Sequence, residues 1–476
     1  MNEKEEIRHS KWNMASYGAG SGAREFINMA FSSVVYFYYE SVIGLNSAIV
    51  ALAFIFFAIY NMFNDPILGY LIERPFKFTR KWGRRFPWLM MSGIPLGLSY
   101  IIVFWPPIFD PISEEWALFA WLLFTSCLFD TFHSLFFVSY LSLFPEKFQS
   151  DRERRLASGI YIPIGVIGVA LGAMVPPLIF KYPGTAPHDQ VLMSFLVQGV
   201  VVALICIIGV LLAIPGYKED PDTVERYLAI MEKKPKEESF FKTLWKALKQ
   251  KSFIVYMVIY TMYQSQITTM QSSIHYAVNF VIPPPPGISK NLMATLIFAA
   301  FLIGVIASTP FWVKMSHKVN NNKTIMLTAS IFLGIFILPL LFIKDYFAVV
   351  LIMLIWGVPL GGFWIMIFPV MSDVIDEATI IQGKPKEAVY SGFSQFFGRL
   401  GIVAQALTFG IVHALTGFQE GASTQTPLAQ FGIQIHLALV PAIFILFGAF
   451  VFWKFYELTP EKIRENQIKL KEMGLK

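Results

Sequence analysis

The polar residues Asn61, Asn64 and Asp65 lie in the middle of an apolar stretch and are followed at once by Pro66. Their spacing puts two amides and a carboxylate on one face of a helix. A carboxylate at membrane depth is costly, so it usually faces a bundle interior or an aqueous path. Pro66 has no N–H, so the carbonyl of Met62 lacks its helical partner. These oxygens suit a hard cation. A proton carried on Asp65, or a structural lock to the basic residues that follow, are the alternatives.

The composition predicts a polytopic membrane protein. The chain has 476 residues, of which 55% are hydrophobic and 15% charged, and its mean hydropathy is +0.56. These values exclude an ordinary soluble domain. The predicted fold is all-α, with twelve transmembrane helices in two six-helix bundles. The predicted spans are 13–38, 46–73, 86–106, 114–145, 154–181, 190–216, 252–282, 289–316, 323–343, 345–374, 387–417 and 427–456.

The net charge of +6 reflects topology and not nucleic-acid binding. With twelve spans, one side of the membrane carries only Lys181, Lys290 and Lys344. Arg24 and Arg399 fall inside spans, and the rest of the 38 Lys and Arg lie on the side of the termini. The positive-inside rule therefore predicts that both termini are cytoplasmic. Localisation in the cell membrane and contact with membrane lipid follow from the same pattern.

The longest polar stretch divides the chain into two halves. The predicted domains are an N-terminal bundle at 1–217, a cytoplasmic linker at 218–251, a C-terminal bundle at 252–456 and a cytoplasmic tail at 457–476. Residues 240–248 of the linker place Lys242 and Lys246 four positions apart among mostly apolar residues, which predicts an amphipathic helix lying on the membrane surface.

Span one carries Ser21, Glu25, Asn28 and Ser32 on one helical face, and Arg24 adjoins that face. Ionisable residues are rare inside membranes and mark substrate paths, so we interpret the face as substrate-binding. An internal ion pair that fixes helix packing is the alternative.

Five further residues bring polar or aromatic groups into the spans. Asp130 and His133 are three residues apart in span four. This spacing suits either part of a proton path or a hydrogen-bonded pair that stabilises the bundle. Trp364 in span ten offers an aromatic surface for a sugar ring, although Trp in membrane proteins is more often packing. Gln395 and Arg399 share one face of span eleven.

The charges within the spans do not balance. Glu25, Asp65 and Asp130 oppose Arg24 and Arg399, which leaves one negative charge in excess if all are ionised. A bound cation would neutralise it. The sequence contains no nucleophile triad, no Cys/His metal spacing and no phosphate-binding loop, which predicts that the chain is not an enzyme and needs no cofactor beyond a coupling ion.

Several motifs resemble the glycoside–pentoside–hexuronide:cation symporter family of the major facilitator superfamily, to which melibiose permease belongs. The motifs are Asn64-Asp65-Pro66-Ile67-Leu68-Gly69, Gly83-Arg84-Arg85-Phe86-Pro87-Trp88, Pro145-Glu146, Asp151-Arg152-Glu153-Arg154-Arg155, Asp373-Val374-Ile375-Asp376, Gly383-Lys384 and Gly398-Arg399. The resemblance covers nearly the whole chain. It implies a secondary active transporter that carries a glycoside together with Na⁺, Li⁺ or H⁺ by alternating access, and for which a monomer is sufficient.

The resemblance also implies roles for individual positions. Arg24 and Glu25 match the basic–acidic pair that contacts sugar in the family. Asp65 matches a cation-site carboxylate, for which Asn61 and Asn64 would be the companions here. Trp364 matches an aromatic residue near the sugar, and Arg399 a basic residue that joins the two halves.

The chain departs from the family pattern at several of these places. His133 stands where the family has a site tyrosine, and Asn61 replaces a second cation-site acid. The sugar-binding acid of span four is Phe137, and the arginine of span five falls at Tyr161 or Ile162. These departures put galactoside-type recognition in doubt.

Two alternatives to a sugar symporter remain at this stage. Residues 127–131 resemble, weakly, the related lysophospholipid symporters, so an amphiphile is a second substrate class. A non-transporting membrane sensor or scaffold is the alternative of another class. For the transporter, we expect Arg84 and Arg85 to hold one arrangement of the bundles through ion pairs with Asp373 or Asp376.

Overall fold

The computed structural model describes residues 7–72, 76, 79–107, 109–220, 224, 244–245, 247–382 and 387–473. These residues form helices joined by short connections and no strand. They fall into two compact units. The first comprises residues 1–236 together with Glu420–Ser423, and the second comprises the remainder.

The first unit contains the N-terminal helices of the chain. They are α1 (Lys11–Phe37), α2 (Ser47–Ile72), α3 (Thr79–Trp82), α4 (Phe86–Val103), α5 (Glu115–Lys147), α6 (Asp151–Ile179), α7 (His188–Leu212) and α8 (Ile214–Tyr217). A π-helical turn at Tyr38–Ile43 extends α1.

The second unit contains α9 (Lys251–Phe280), α10 (Lys290–Val319), α11 (Asn322–Ile337), α12 (Tyr346–Gln382), α13 (Glu387–Gly398), α14 (Leu400–Thr416), α15 (Pro427–Gln434), α16 (Val440–Phe455) and α17 (Pro460–Glu472). A 3₁₀ turn at Leu338–Leu341 follows α11, and a π-helical turn at Ile435–Leu439 joins α15 to α16.

Hydroxyl and amide caps begin many of these helices. Ser10 accepts a hydrogen bond from the Asn13 N–H at the start of α1, and Ser150 accepts one from the Glu153 N–H at the start of α6. Such caps satisfy backbone N–H groups that the first turn leaves without partners. Gly417, which ends α14, has φ 67°, a backbone conformation that a residue without a Cβ adopts at little cost.

Ten helical segments of the described chain are long and apolar enough to cross a membrane. The remaining predicted spans, one and seven, form α1 and α9, which are 27 and 30 residues long. At about 1.5 Å per residue, either helix exceeds the hydrocarbon thickness of a bilayer. Polar residues lower their hydropathy, and α1 carries Arg24 and Glu25. The helices thus follow the twelve predicted spans.

The structure refines two predicted spans. Helix α12 continues to Gln382, past the predicted end at 374, so Asp376 lies on the same helix as Asp373. Span eleven is broken at Arg399, where α13 ends and α14 begins. Most of the predicted linker at 218–251, including most of the amphipathic segment, lies outside the described residues.

Glycine stripes allow two pairs of helices to approach closely. Helices α1 and α6 meet where a Cβ on Gly168 would lie 2.3 Å from the Gly22 carbonyl oxygen, and one on Gly172 would lie 2.2 Å from that of Phe26. Small residues at helix interfaces permit such backbone contact in membranes. In the second unit, α10 and α12 meet at Gly304 and Gly357 in the same way.

Candidate functional site

Asp130 is the centre of a buried polar cluster between α2 and α5. Its Oδ1 accepts a hydrogen bond from Asn61 Nδ2 at 2.8 Å, and its Oδ2 accepts one from Asn64 Nδ2 at 3.0 Å. Asp130 is only 3% exposed, and both asparagines are buried as well. Asp65, the neighbour of Asn64, is half-buried. The two amides that the sequence grouped with Asp65 therefore bind the carboxylate of Asp130.

A second pair of side chains joins the same two helices. The Thr131 hydroxyl donates to the Cys127 carbonyl at 2.7 Å, so its oxygen is left to accept from the Tyr60 hydroxyl, also at 2.7 Å. Tyr60 precedes Asn61, and Thr131 follows Asp130. Hydrogen bonds thus join Tyr60, Asn61 and Asn64 of α2 to Asp130 and Thr131 of α5.

The oxygen inventory of this cluster suits a small cation or a proton. Asp130 supplies two carboxylate oxygens. Within the described part of the chain, Oδ1 of Asn61 has no hydrogen-bond donor although the residue is buried. Rotation of an asparagine amide by half a turn exchanges its N–H₂ group for its oxygen. When no cation is bound, the amides can therefore donate their N–H groups to the carboxylate. When a cation is bound, they can turn their oxygens toward it.

An aromatic row continues along α5 beside this cluster. The ring of His133 stacks on Phe129, with centroids 6.2 Å apart, and on Phe137, with centroids 6.4 Å apart. Phe129 also stacks on Phe31 of α1 at 4.2 Å and an interplanar angle of 4°. His133, a predicted substrate residue, thus lies in an aromatic surface that connects α5 with α1.

Arg24 and Glu25 on α1 form an ion pair with each other. The guanidinium carbon of Arg24 lies 4.5 Å from the centroid of the Phe137 ring, within the range of a cation–π contact. Gly165 of α6 lies against Ser21, since a Cβ there would be 2.7 Å from the serine hydroxyl. The close α1–α6 contact therefore fixes the face of α1 that carries the pair.

In the second unit, Trp364 is held by a tyrosine from α9. Its indole N–H donates to the Tyr263 hydroxyl at 2.6 Å. The Tyr263 ring stacks on Phe363, with centroids 4.4 Å apart. The predicted aromatic surface of span ten is thus part of a rigid group of three rings.

Arg399 occupies the break between α13 and α14. Its N–H still bonds the Gln395 carbonyl, while the Ile402 N–H bonds back to the Arg399 carbonyl at 3.0 Å in a tighter turn. The backbone of Arg399 remains in the α region, with φ −65° and ψ −21°, so α13 runs into α14 with only a local tightening. Gln395 and Arg399 are both half-buried, as residues that line a cavity would be.

Three of the four predicted gating residues have an identified partner inside their own unit. In the first unit, Glu146 accepts from Arg85 Nη2 at 2.9 Å and from Arg84 Nη1 at 3.2 Å. In the second unit, Asp373 accepts from Asn322 Nδ2 at 2.9 Å. Asp376 is half-buried on the same helix. The pairing of these arginines with Asp373 or Asp376 stays a prediction.

Sequence reasoning missed some partners that complete these groups. Glu146 stood in a family motif without a role, and its position after Pro145 at the end of a span was the available signal. Tyr60 and Thr131 adjoin predicted site residues, and their types alone did not distinguish them. The described residues contain no cluster of three or more His, Cys, Asp or Glu side chains of the kind that holds a transition metal.

Comparisons with known proteins place the chain in a family. The sequence profile described as "MFS/sugar transport protein" matches residues 16–460. The sodium-dependent lysophosphatidylcholine symporter 1 of Mus musculus is 21% identical over 86% of this chain and 78% of its own length. The glucuronide carrier protein homolog of Escherichia coli (strain K12) is 21% identical over 96% of this chain and 94% of its own length.

The fold is similar to that of solved transporters. A crystal structure of the nucleoside transporter NupG matches 94% of this chain and 100% of its own, with a TM-score of 0.62 at 13% identity. At this identity the likeness concerns the fold alone. Together with the profile match over most of the chain, it confirms the predicted major facilitator fold and the assignment as a multi-pass membrane transporter and not an enzyme. The chain belongs to the MFS/sugar transport protein family of the major facilitator superfamily.

Proposed function

We propose that this protein is a cation-coupled symporter in which Asp130, Asn61 and Asn64 form the coupling-ion site. The observation that carries the proposal is the buried carboxylate of Asp130, which accepts hydrogen bonds from the amides of Asn61 and Asn64. An ionised carboxylate at a buried position carries a desolvation cost. A bound Na⁺, Li⁺ or proton would remove that cost.

Asp130 takes the place that the family resemblance gave to an acid on α2. Asn61 stands where the family has its second cation-site acid, and the carboxylate that faces this position comes from α5 instead. If Asp65 contributes, the site still has two acids, Asp65 on α2 and Asp130 on α5. Binding or release of the ion at Asp130 would act on both α2 and α5, because the asparagines belong to α2 and the aspartate belongs to α5.

For the substrate, we propose a glycoside or related sugar. Arg24 and Glu25 supply a donor and an acceptor, and the Trp364–Tyr263 group supplies an aromatic face with a fixed orientation. His133, Gln395 and Arg399 would complete the polar contacts. Both termini would be cytoplasmic, a single chain would suffice, and membrane lipid would surround it.

An amphiphile such as a lysophospholipid is the second candidate, and a specific observation favours it. Phe137 stands where the family has a sugar-binding acid, and its ring covers the guanidinium of Arg24. With Phe129 and His133 it forms an aromatic row along α5. Such a surface suits an apolar chain beside a charged head group better than a second sugar hydroxyl.

Uptake into proteoliposomes tests both parts of the proposal. Labelled glycosides, a glucuronide and a lysophosphatidylcholine would each be offered under a Na⁺, Li⁺ or proton gradient. Coupling of roughly 1–3 kcal/mol corresponds to an effect of the cation of about 5- to 150-fold. We expect Asp130→Asn to abolish that effect, and the exposed Asp189→Asn to retain it.

The outcomes separate the substrate from the mechanism. Cation-driven uptake of lysophosphatidylcholine alone would replace the sugar by an amphiphile while leaving the ion site in place. Uptake by Asp130→Asn that still responds fully to the cation would overturn the ion site. Binding of a substrate without any flux, from folded protein, would support a sensor instead.

A further inference from the structure

The side chain of Gln264 lies at the centre of a membrane span in the second unit. Gln264 is the fourteenth of the 30 residues of α9, counted from Lys251. Its side chain is half-buried, and its amide makes no hydrogen bond with any other residue that the structure describes. An unbonded amide in hydrocarbon carries a desolvation cost, so polar groups at this depth usually face a bundle interior or a water-filled cavity. We therefore expect this amide to be accessible to water and to solutes.

Gln264 packs against the junction of α13 and α14. A Cβ on Gly401 would lie 3.0 Å from the Cβ of Gln264, and one on Gly398 would lie 3.6 Å from its amide nitrogen. Both glycines therefore leave space for the glutamine side chain that a larger residue would take. Gly398 is followed directly by Arg399, which is a predicted substrate residue. The amide of Gln264 thus lies beside a part of the chain that the sequence already assigned to the substrate.

Tyr260, one helical turn before Gln264, connects this position with the aromatic group of Trp364. The centroids of the Tyr260 and Tyr263 rings are 6.4 Å apart, and the Tyr263 hydroxyl accepts the indole N–H of Trp364. On its other side, Cε1 of Tyr260 would lie 3.2 Å from a Cβ on Gly398. One turn of α9 therefore contacts both the aromatic surface and the α13–α14 junction, and Gln264 adds an amide to it.

The chemistry of the amide indicates what it binds. An amide offers two N–H donors and an acceptor oxygen, and a sugar hydroxyl is itself both donor and acceptor. An apolar chain offers neither. We propose that Gln264 is a specificity-determining residue that binds one hydroxyl of a sugar whose ring lies against Trp364. The inference rests on the proposed function, because it takes a glycoside as the substrate, and it adds the residue that distinguishes a glycoside from an amphiphile.

A second glutamine between the same two helices has a structural role. Gln405 on α14 is buried, and its Nε2 donates to the Ser272 hydroxyl of α9 at 2.9 Å. That hydrogen bond joins α9 to α14. The amide of Gln264 makes no such bond within the described chain, so the packing of the two helices does not depend on it. The two glutamines therefore provide a matched pair for separating substrate binding from stability.

Uptake by the full-length protein in proteoliposomes tests the inference. The probes are labelled methyl glucoside, methyl galactoside, methyl glucuronide and lysophosphatidylcholine. For a glycoside that the wild type carries, we expect Gln264→Leu to raise KM about tenfold and to change Vmax by less than about twofold. A tenfold change corresponds to about 1.4 kcal/mol, which is within the range of one hydrogen bond. KM for lysophosphatidylcholine, if it is carried, should stay unchanged.

Monodeoxy analogues of the same glycoside identify the hydroxyl that is bound. One analogue should have a KM about tenfold above that of the parent sugar in the wild type, because it lacks the partner of the amide. Gln264→Leu should carry this analogue and the parent sugar with equal KM. A residue that only supports the fold would leave the preference between the two sugars in place.

Melting without substrate separates this role from a structural one. Gln264→Leu should melt at or above the temperature of the wild type, whereas Gln405→Leu should melt below it. Gln467→Leu, on an exposed position of α17, should match the wild type in melting and in uptake. Gln264→Leu that melts as low as Gln405→Leu would overturn the inference, because its amide would then be structural.

The transport results distinguish a failure of the inference from a failure of the proposed function. Wild-type protein that carries none of the glycosides would contradict the sugar as substrate, and the inference with it. Glycoside uptake by the wild type with an unchanged KM in Gln264→Leu would overturn the inference and leave the symporter in place. The same conclusion would follow if Gln264→Leu kept the wild-type preference among all the deoxy analogues.

Discussion

The contact between α2 and α5 differs sharply from that between α10 and α12, although these helices are spans two and four of one half and spans eight and ten of the other. In the first unit the contact is made by polar side chains, with Asn61 and Asn64 on Asp130. In the second unit the backbones meet directly. A Cβ on Gly304 would lie 2.2 Å from the Leu354 carbonyl oxygen, and one on Gly357 would lie 2.1 Å from that of Phe301.

The difference shows that corresponding helix pairs of a repeated topology can be joined in different ways. Polar side chains need space between helices, and a glycine stripe removes that space. Additional hydrogen bonds reinforce the α10–α12 contact, because the Trp312 indole and the Ser308 hydroxyl both donate to the Val358 carbonyl, at 2.8 and 3.0 Å. The second unit therefore has a rigid backbone contact where the first has a carboxylate site.

Adding one methyl group to the α10–α12 contact, and one to an open position of α2, tests the comparison most directly. Gly357→Ala should lower the free energy of unfolding by about 1–3 kcal/mol, because its Cβ would overlap the Phe301 carbonyl. The matched control is Gly69→Ala in α2, where a Cβ meets nothing within 4 Å. That change should be neutral or stabilising by up to about 1 kcal/mol. Thermal melting followed by tryptophan fluorescence gives both values, and equal effects would contradict the distinction.

Restoring an acid on α2 sharpens the account of the first unit. Asn61→Asp places a second carboxylate where an amide now donates to Asp130, so like charges repel in cation-free buffer. The variant should be less stable without cation and should bind cation about tenfold more tightly, a gain of about 1.4 kcal/mol. Isothermal titration with Na⁺ and Li⁺ measures the affinity. Weaker binding than in the wild type would mean that Asp130 does not face the cation.

Removing one hydrogen bond from the α10–α12 contact should have a smaller effect. Trp312→Phe deletes the indole N–H that donates to Val358 while keeping an aromatic ring. The free energy of unfolding should fall by about 1 kcal/mol, with no change in cation affinity. Ser308→Ala, which removes the other donor to the same carbonyl, is the companion variant. A change in cation affinity in either would show that the two contacts are not independent.

The hydroxyl bond at the edge of the α2–α5 contact should contribute least. Tyr60→Phe removes the donor to Thr131, a bond at the exposed edge of the contact. We expect a loss of about 0.5 kcal/mol in stability, because water can replace the partner. Cation affinity should change by less than about twofold, an energy below roughly 0.5 kcal/mol. A loss of cation affinity of about tenfold or more would place Tyr60 within the ion site itself.

The sequence predicted the helices well because hydrophobic length and charge asymmetry are local properties. The spans match helices, and α1 and α9 could be recognised despite their polar residues because neighbouring loops supplied the topology. Helix α12 continues past the predicted span end at 374 to Gln382, because a helix can extend beyond the apolar stretch that defines a span. The break at Arg399 was not predicted, because Gly398 alone does not distinguish a kink from a packing position.

The partners of site residues were harder to predict than their positions. The shared face of Asn61 and Asn64 was evident from spacing, but a helical face does not reveal which neighbouring helix it meets. The structure supplies Asp130 from α5, a residue that the sequence assigned to the substrate. Glu146, which binds Arg85 and Arg84 from 61 and 62 residues away in the same unit, was not foreseen as their partner, and their expected pairing with Asp373 or Asp376 stays a prediction.

The central claim, that Asp130 is the carboxylate of the coupling-ion site, is tested most directly by cation-dependent thermal stability. Melting of the wild type, Asp130→Asn and Asp65→Asn would be followed while Na⁺, Li⁺ or protons are titrated at constant ionic strength. A ligand at 100 times its Kd stabilises the state that binds it by about 2.7 kcal/mol. We predict this gain for the wild type and a reduced but measurable gain for Asp65→Asn. Asp130→Asn should gain nothing, and should be at least as stable as the wild type without cation. Full stabilisation of Asp130→Asn, with none for Asp65→Asn, would contradict the claim and return the site to α2.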